Sequence, residues 1–287
     1  MQGQVLNVYR RDEANVGDAH SSPLKYFRFP GAQEVDIDEL AYISDDSLSL
    51  PVVIFGGGGL LGRTPRWDDQ IRRVVALNAR CVVWGAGVNK HLRPAKAREY
   101  LAVPFNRART LYRIARFGKE QESWLPDYVS SFRLAGLRDD AAEHSIEWVP
   151  CASCMRTEFD AKHRIVRKVG VLQHQAVPIR LKAIPDEDFI DNKRFSIEEV
   201  LHFLASSEAV VTSSYHGAYW SLLLNKPTIV YRPFSTKFAR MRHRPTIYSG
   251  DLQHDLANAR TYPHALEESR EANMDFNVKV QNVSLAS

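Results

Sequence analysis

Short, β-branched apolar runs alternate with helix-length segments along this chain, and that alternation limits its fold more than any other feature. Val5–Tyr9, Val52–Phe55, Val82–Trp84, Val129–Leu134, Val169–Gln173, Ala209–Thr212 and Thr228–Tyr231 have the composition of strands. Several are unbroken apolar runs, the pattern of parallel strands buried on both faces. Between them Asp69–Ala79, Ser196–Ala205 and Gly217–Leu224 read as helices. The second opens on a capping box, with Ser196 capping the first turn and Glu199 reaching back. Strand–helix alternation calls for right-handed βαβ units, so the expected fold class is α/β with parallel sheets.

A polar, charged stretch, Met155–Lys168, separates two α/β halves, and 287 residues suffice for each to bury a core. The hydrophobic share of 44% and charged share of 25% are those of a soluble globular protein. A net charge of +4 suits an anionic ligand. It is too small to argue for nucleic acid, and no RNP-like run, Cys/His finger or repeat supports that class. No apolar run reaches the roughly 18 residues of a membrane span, and the N-terminal MQGQVLNVYRRDEANVGD lacks the apolar core of a signal peptide. A cytoplasmic location is therefore expected. Three cysteines, an odd number, fit a reducing compartment.

Open α/β sheets bind ligands beyond the carboxyl ends of their strands, so the turns there are the informative residues. After the first strand comes Asn15-Val-Gly-Asp18. Gly17 permits a tight backbone, while Asn15 and Asp18 fix the loop or face a ligand. After Val52–Phe55 come four glycines, Gly56–Gly59. So costly a run points to close approach of the backbone to an anion or to another chain segment. It is not a P-loop, because no Gly-Lys-Ser/Thr follows. Trp84-Gly-Ala-Gly-Val-Asn89 repeats the theme, and the fourth strand runs into Gly136-Leu-Arg-Asp139. Arg138 there is either a fork for phosphate or carboxylate or the partner of Asp139. Pro150-Cys-Ala-Ser-Cys154 is either half of a zinc site, with His144 or His163, or a tight turn lining the cleft. In the second half His174 stands at a strand end. Ser213-Ser214-Tyr215-His216-Gly217 joins hydroxyls, helix-start N–H groups and a histidine able to change protonation, which suits a phosphate-bearing substrate. The next strand ends in two cations, Arg232 and Lys237.

Taken in order, NVGD, VIFGGGG, VVWGAGVN, LRD, the proline turn, VGVLQH and Ser-x-x-His-Gly followed by a helix and a Lys-Pro strand entry resemble the polysaccharide pyruvyl transferase family. The motifs span Asn15 to Lys237. The resemblance implies two Rossmann-like domains in a GT-B-like arrangement. Residues 1–160 would form the acceptor side and 161–287 the donor side, with the last helix packing back on the first domain. It implies transfer of pyruvate from phosphoenolpyruvate to a sugar of an exopolysaccharide or other cell-surface glycan, usually as a ketal, with no cofactor beyond that donor substrate and no metal. His216 would be the catalytic acid/base. Arg138, Ser213, Ser214, Tyr215, Lys237, Arg232 and His174 would hold the donor, and Asn15, Asp18, Gly57 and Gly58 would line the acceptor side. The family often carries arginine two positions before this histidine. Here Ser214 stands there, and Arg138, Arg232 or Lys237 would take over its role. PCASC also replaces the family's usual Asp-Pro.

Two other functions use the same anion-binding helix start: a GT-B-type glycosyltransferase taking a nucleotide sugar, and a non-catalytic subunit of a polysaccharide assembly complex. The stretch Asn89–Lys119 carries nine Lys/Arg against one acid, interleaved with apolar residues from Arg107 to Phe117. It is either a solvated basic helix or a contact with an anionic inner membrane surface that brings the enzyme to a lipid-linked acceptor. Ala265–Val283 has helical composition.

Overall fold

Two parallel sheets carry the chain in a computed structural model that describes residues 5–49, 52–62, 64–90, 107–140, 146–181 and 183–285. The first sheet holds β1 (Val5–Tyr9), β2 (Gln33–Asp36), β3 (Val52–Phe55), β4 (Gly58–Leu61), β5 (Cys81–Val88), β6 (Leu134–Leu137) and β7 (Glu147–Trp148). Its order is β2-β1-β3-β5-β6-β7, with β4 pairing along β5. The second holds β8 (Arg167–Gln173), β9 (Phe189–Asp191), β10 (Ser207–Thr212), β11 (Thr228–Val230) and β12 (Thr246–Ile247), in the order β12-β11-β10-β8-β9. In each sheet the chain runs outward from its first strand, returns, and continues past the other side. The reversal lies between β1 and β3 in one sheet and between β8 and β10 in the other, and such switch points are where open sheets form clefts.

The helices are α1 (Val16–Ala19), α2 (Asp45–Ser49), α3 (Pro65–Leu77), α4 (Arg107–Ser130), α5 (Ile197–Ala205), α6 (Tyr215–Leu223), α7 (Leu252–Ala257) and α8 (Ala265–Leu285). Thr64 caps α3, Pro65 occupies its first turn, and Trp67, Ile71 and Val74 form its buried stripe. The α5 capping box forms as its sequence implies, with Ser196 and Glu199 exchanging hydrogen bonds. The expected strand over Val129–Leu134 is instead the end of α4, a turn, and the first residue of β6. Leu125, Tyr128, Val129 and Phe132 are all buried in the first-sheet core. Their 3–4–7 spacing is a helical stripe, which a reading of Val129–Leu134 alone cuts short.

The turn Gly56–Gly59 is part strand, for β4 begins at Gly58. On the opposite face of the sheet, Phe276 and Val280 of α8 join Val5, Val52, Ile54, Val82 and Trp84 in one apolar cluster. Asn273 accepts a 2.9 Å bond from the Trp84 indole. Burying side chains of this size stabilises by roughly 1.5–3 kcal/mol each. The halves are joined by main-chain bonds, Val16 N–H to Asn192 O at 2.9 Å and Thr236 N–H to Lys90 O at 2.9 Å. His144 and residues 91–106 of the basic stretch lie outside the described residues. Among the described residues no helix is long and apolar enough to cross a membrane.

Candidate functional site

The cleft between the sheets contains a cavity of about 150 Å³ lined by Asp12, Asn15, Asp18, Gly59, Asn89, Arg138, His174, Gln175, Ser214, Tyr215, His216, Phe234 and Lys237. Each comes from a segment that follows or ends a strand. Asp12, Asn15 and Asp18 follow β1, Gly59 lies in β4, and Asn89 follows β5. Arg138 follows β6, His174 and Gln175 follow β8, Ser214–His216 follow β10, and Phe234 and Lys237 follow β11.

The second sheet contributes a helix start. Ser214 caps α6 by accepting from Gly217 N–H, and every residue of α6 is buried. The helix begins this close to the strand because Gly217 has no side chain. A Cβ there would lie 2.4 Å from Thr212 Oγ1. His216 is 5% exposed and its Nε2 has no hydrogen-bond partner. Burial, with the positive charges of Arg138 and Lys237, holds its imidazole well below the usual histidine range, so the ring is neutral at pH 7. Gly17 of the NVGD turn packs on this ring, where a Cβ would meet Nδ1 at 2.1 Å. The first domain therefore touches the histidine through the one residue type that fits.

Arg138 reaches the same cavity from β6. Its side chain is 2% exposed, its Nε lies 3.9 Å from an Asp139 oxygen, and its guanidinium sits 4.1 Å from the centroid of the Tyr215 ring. Neither Nε nor Nη2 has a hydrogen-bond partner. Gly87 makes room for it, since a Cβ there would stand 2.5 Å from Nε. Asp139 keeps this long ion pair through Oδ1, while its Oδ2 accepts from Val88 N–H at 2.7 Å and from Gln121 at 3.4 Å. Burial pushes its carboxyl above the usual range. Lys237 brings a second cation near Tyr215, 5.7 Å from the ring centroid and 5.0 Å from that of Phe234. Asn89, 5% exposed, adds an unpartnered Oδ1. A buried cation with unmet donors costs several kcal/mol unless something pairs with it. The unmet guanidinium donors can take an anionic group, and Asp12 and Asp18 line the same cavity with the opposite charge.

The remaining expected site residues hold the frame. Ser213 does not line the cavity; its hydroxyl donates to Val177 O at 2.6 Å and accepts from His174 N–H at 2.9 Å. That bond fixes the loop carrying His174, whose Nδ1 accepts from Ala176 N–H. Arg232 also lies off the cavity, with its guanidinium 5.4 Å from the Tyr231 ring. Gly57 and Gly58 lie off it as well, and only Gly59 of the run reaches it. Asn15 lines the cavity, but its Oδ1 accepts from Gly17 N–H and from Asn192 Nδ2, and its Nδ2 donates to Asp18. It is chiefly the joint between the halves.

The PCASC turn backs α6 and is not part of the cavity lining. Tyr219 Oη donates to Cys151 O and the Trp220 indole to Ser153 Oγ, each at 2.9 Å. Both cysteines are free and buried, with thiols pushed up by burial, Cys154 to about 12. His163 is occupied with His202, the two Nδ1 atoms 3.1 Å apart. Among the described residues no group of three or more His, Cys, Asp or Glu is placed to hold a metal. Sequence reading passed over Asp12, Asn89, Gln175 and Phe234. Asn89 had a signal, since it closes the VVWGAGVN turn one residue after a strand.

Fold and site together define an α/β protein with two parallel sheets and a polar, charged cavity in the cleft between them. Within it, residues 129–233 match the family profile described as "Polysaccharide pyruvyl transferase". That segment includes Arg138, His174 and Ser213–His216. No curated protein matches the chain. Similar solved structures include a functionally uncharacterised protein from Klebsiella pneumoniae subsp. pneumoniae, 13% identical over 81% of this chain and 84% of that one, with a TM-score of 0.45. A candidate UDP-N-acetylglucosamine 2-epimerase from Listeria monocytogenes is 10% identical over 96% and 91%, with a TM-score of 0.45. The glycotransferase of kitacinnamycin is 13% identical over 98% and 95%, with a TM-score of 0.34.

Proposed function

We propose that this protein transfers pyruvate from phosphoenolpyruvate to two hydroxyls of a sugar, as a ketal, in building an exopolysaccharide or other cell-surface glycan. The observation that carries the proposal is the buried Arg138 guanidinium, with Nε and Nη2 unpartnered, in one cavity with Lys237 and a neutral His216. Phosphoenolpyruvate offers a phosphate and a carboxylate. Arg138 pairs with one as a fork, Lys237 meets the other, and the α6 N-terminus adds its positive end. These two cations replace the arginine that the family often has where Ser214 stands.

In this reaction the C2–C3 π pair takes a proton at C3, and one sugar hydroxyl adds to C2, losing its own proton. The second hydroxyl then adds to C2 as the C2–O bond to phosphate breaks, and its proton leaves with the inorganic phosphate. His216 delivers the first proton. Burial, with Arg138 and Lys237, holds the imidazole neutral; an anion bound between the two cations offsets their part and raises its proton affinity. Donor binding therefore favours the protonated ring that the reaction needs. A lipid-linked acceptor at the inner membrane face suits α4, whose Leu111 and Tyr112 are exposed among basic residues; binding to anionic liposomes at low salt tests this.

The central test is phosphate release from phosphoenolpyruvate with a panel of lipid-linked and nucleotide-linked sugars, beside a thermal-shift screen. Release that depends on sugar and is lost in His216→Ala is the expected result. Stabilisation by UDP, GDP or CMP but not by phosphoenolpyruvate would replace this reading with a nucleotide-sugar glycosyltransferase.

A further inference from the structure

A second cavity, about 270 Å³, lies behind the first and takes no part in holding the anion. Its volume is near the lower end of the roughly 300–1,000 Å³ usual for small-molecule sites. The two cavities share one wall. Val88 and Lys90 line the second while Asn89 lines the first, and Thr236 lines the second while Lys237 lines the first. Lys90 N–H donates to Thr236 Oγ1 at 3.1 Å and Thr236 N–H to Lys90 O at 2.9 Å, so the wall is one residue thick and fixed.

The chemistry of the second cavity differs in kind. Phe117, Trp124 and Tyr128 of α4 give it flat apolar surfaces. Its charges are already matched: Lys90 Nζ is 2.6 Å from Glu120, Asp68 accepts from Gly62 N–H at 3.1 Å, and Arg72 stacks 4.8 Å over the Tyr128 ring. Among the described lining residues the unmet group is a neutral one, the hydroxyl of Tyr128, a residue 6% exposed. The first cavity has unmet cationic donors, whereas this one has an unmet hydroxyl on a residue that packs edge-on with Trp124. Sugars present apolar C–H faces ringed by hydroxyls and carry no charge to neutralise.

We propose that this cavity is the subsite for an uncharged pyranose ring of the acceptor glycan, with Trp124 as its platform and the Tyr128 hydroxyl as a hydrogen-bond partner. The assignment to an acceptor rests on the pyruvyl-transfer reading; the assignment to a sugar does not. Gln121 lines this cavity and donates to Asp139, the neighbour of Arg138, so the subsite abuts the frame of the anion site.

Ligand-observed saturation-transfer NMR with a panel of methyl pyranosides tests the proposal, on the full chain and with phosphoenolpyruvate binding followed separately by thermal shift. At least one pyranoside should bind the native protein. Trp124→Ala should weaken it about tenfold or more, as loss of a central aromatic anchor does. Tyr128→Phe, which keeps the ring and its packing, should weaken it by a smaller factor, and both variants should keep the phosphoenolpyruvate shift. Pyranoside binding that is indifferent to Trp124→Ala and Tyr128→Phe would overturn the proposal. So would phosphoenolpyruvate binding with no pyranoside bound, or displacement of the pyranoside by uridine alone. Trp124-dependent pyranoside binding without any response to phosphoenolpyruvate would uphold the sugar subsite and remove the donor reading instead.

Discussion

The glycine turn after β3 and the serine turn after β10 hold equivalent places, each ending a central strand at its sheet's switch point, yet they meet the cavity differently. In the first turn Gly56 N–H donates to Val8 O at 3.1 Å and Gly57 N–H to Ser21 O at 3.2 Å. Side chains there have no room: a Cβ on Gly56 would lie 2.0 Å from Trp84 O and one on Gly57 2.3 Å from Ser21 O. The glycines are packing devices, and the chain segments they admit are other parts of this protein. Around the second turn, His216 Nε2 and two Arg138 nitrogens are buried without partners. Conspicuous sequence thus marks the saturated turn, and unmet hydrogen-bonding capacity marks the one proposed to work.

Substitutions should separate the two turns. The largest effect belongs to the working side: His216→Gln, which keeps most of the bulk, should lower kcat/KM for phosphate release by about 10²–10⁴. Arg138→Met should cost about 10²–10³ and abolish the thermal shift given by phosphoenolpyruvate. A full shift in Arg138→Met would break the comparison at its root. On the saturated side, Gly57→Ala should destabilise the fold by about 1–3 kcal/mol in urea titration while the folded fraction keeps its activity. Loss of turnover with no loss of stability would show that this turn serves the reaction after all.

A pH experiment sharpens the comparison further. His216 in the folded protein titrates well below its ordinary 6.5. Below that pH the unfolded chain binds a proton that the native one does not, so stability falls as pH drops through 6.5, by up to about 1.4 kcal/mol per pH unit. His216→Gln should flatten that slope in urea titrations across the window. The smallest effect is expected at the joint. Asn192→Ala removes the 2.8 Å bond to Asn15 and the 2.9 Å bond from Gln175 N–H, and should cost about 1 kcal/mol.

Much of the fold was legible because its signals are local. β1 and β3 lie where their apolar runs lie, and α5 begins at its capping box. The α4 error shows the limit of a short window, for the stripe from Leu125 to Phe132 needs a full two turns to be seen. In the site, Arg138, His216 and Lys237 could be picked out because a cation or histidine just past a strand stands out in one dimension. Ser213 looked equal to Ser214, and only the bond to Val177 O separates the brace from the cap.

The sequence by itself determined that parallel strands end in polar turns, that His216 stands among capping serines, and that cations stand at two of those ends. Only the tertiary structure decided which turns face one another. It set Gly17 against the histidine, turned Gly57 and Gly58 away, and left Arg138 Nε and Nη2 without hydrogen-bond partners. The physical reason is that periodicity, capping and turn chemistry act between residues a few positions apart. Whether a buried donor is satisfied depends on atoms brought from the far end of the chain, and that is settled only when the two sheets are docked.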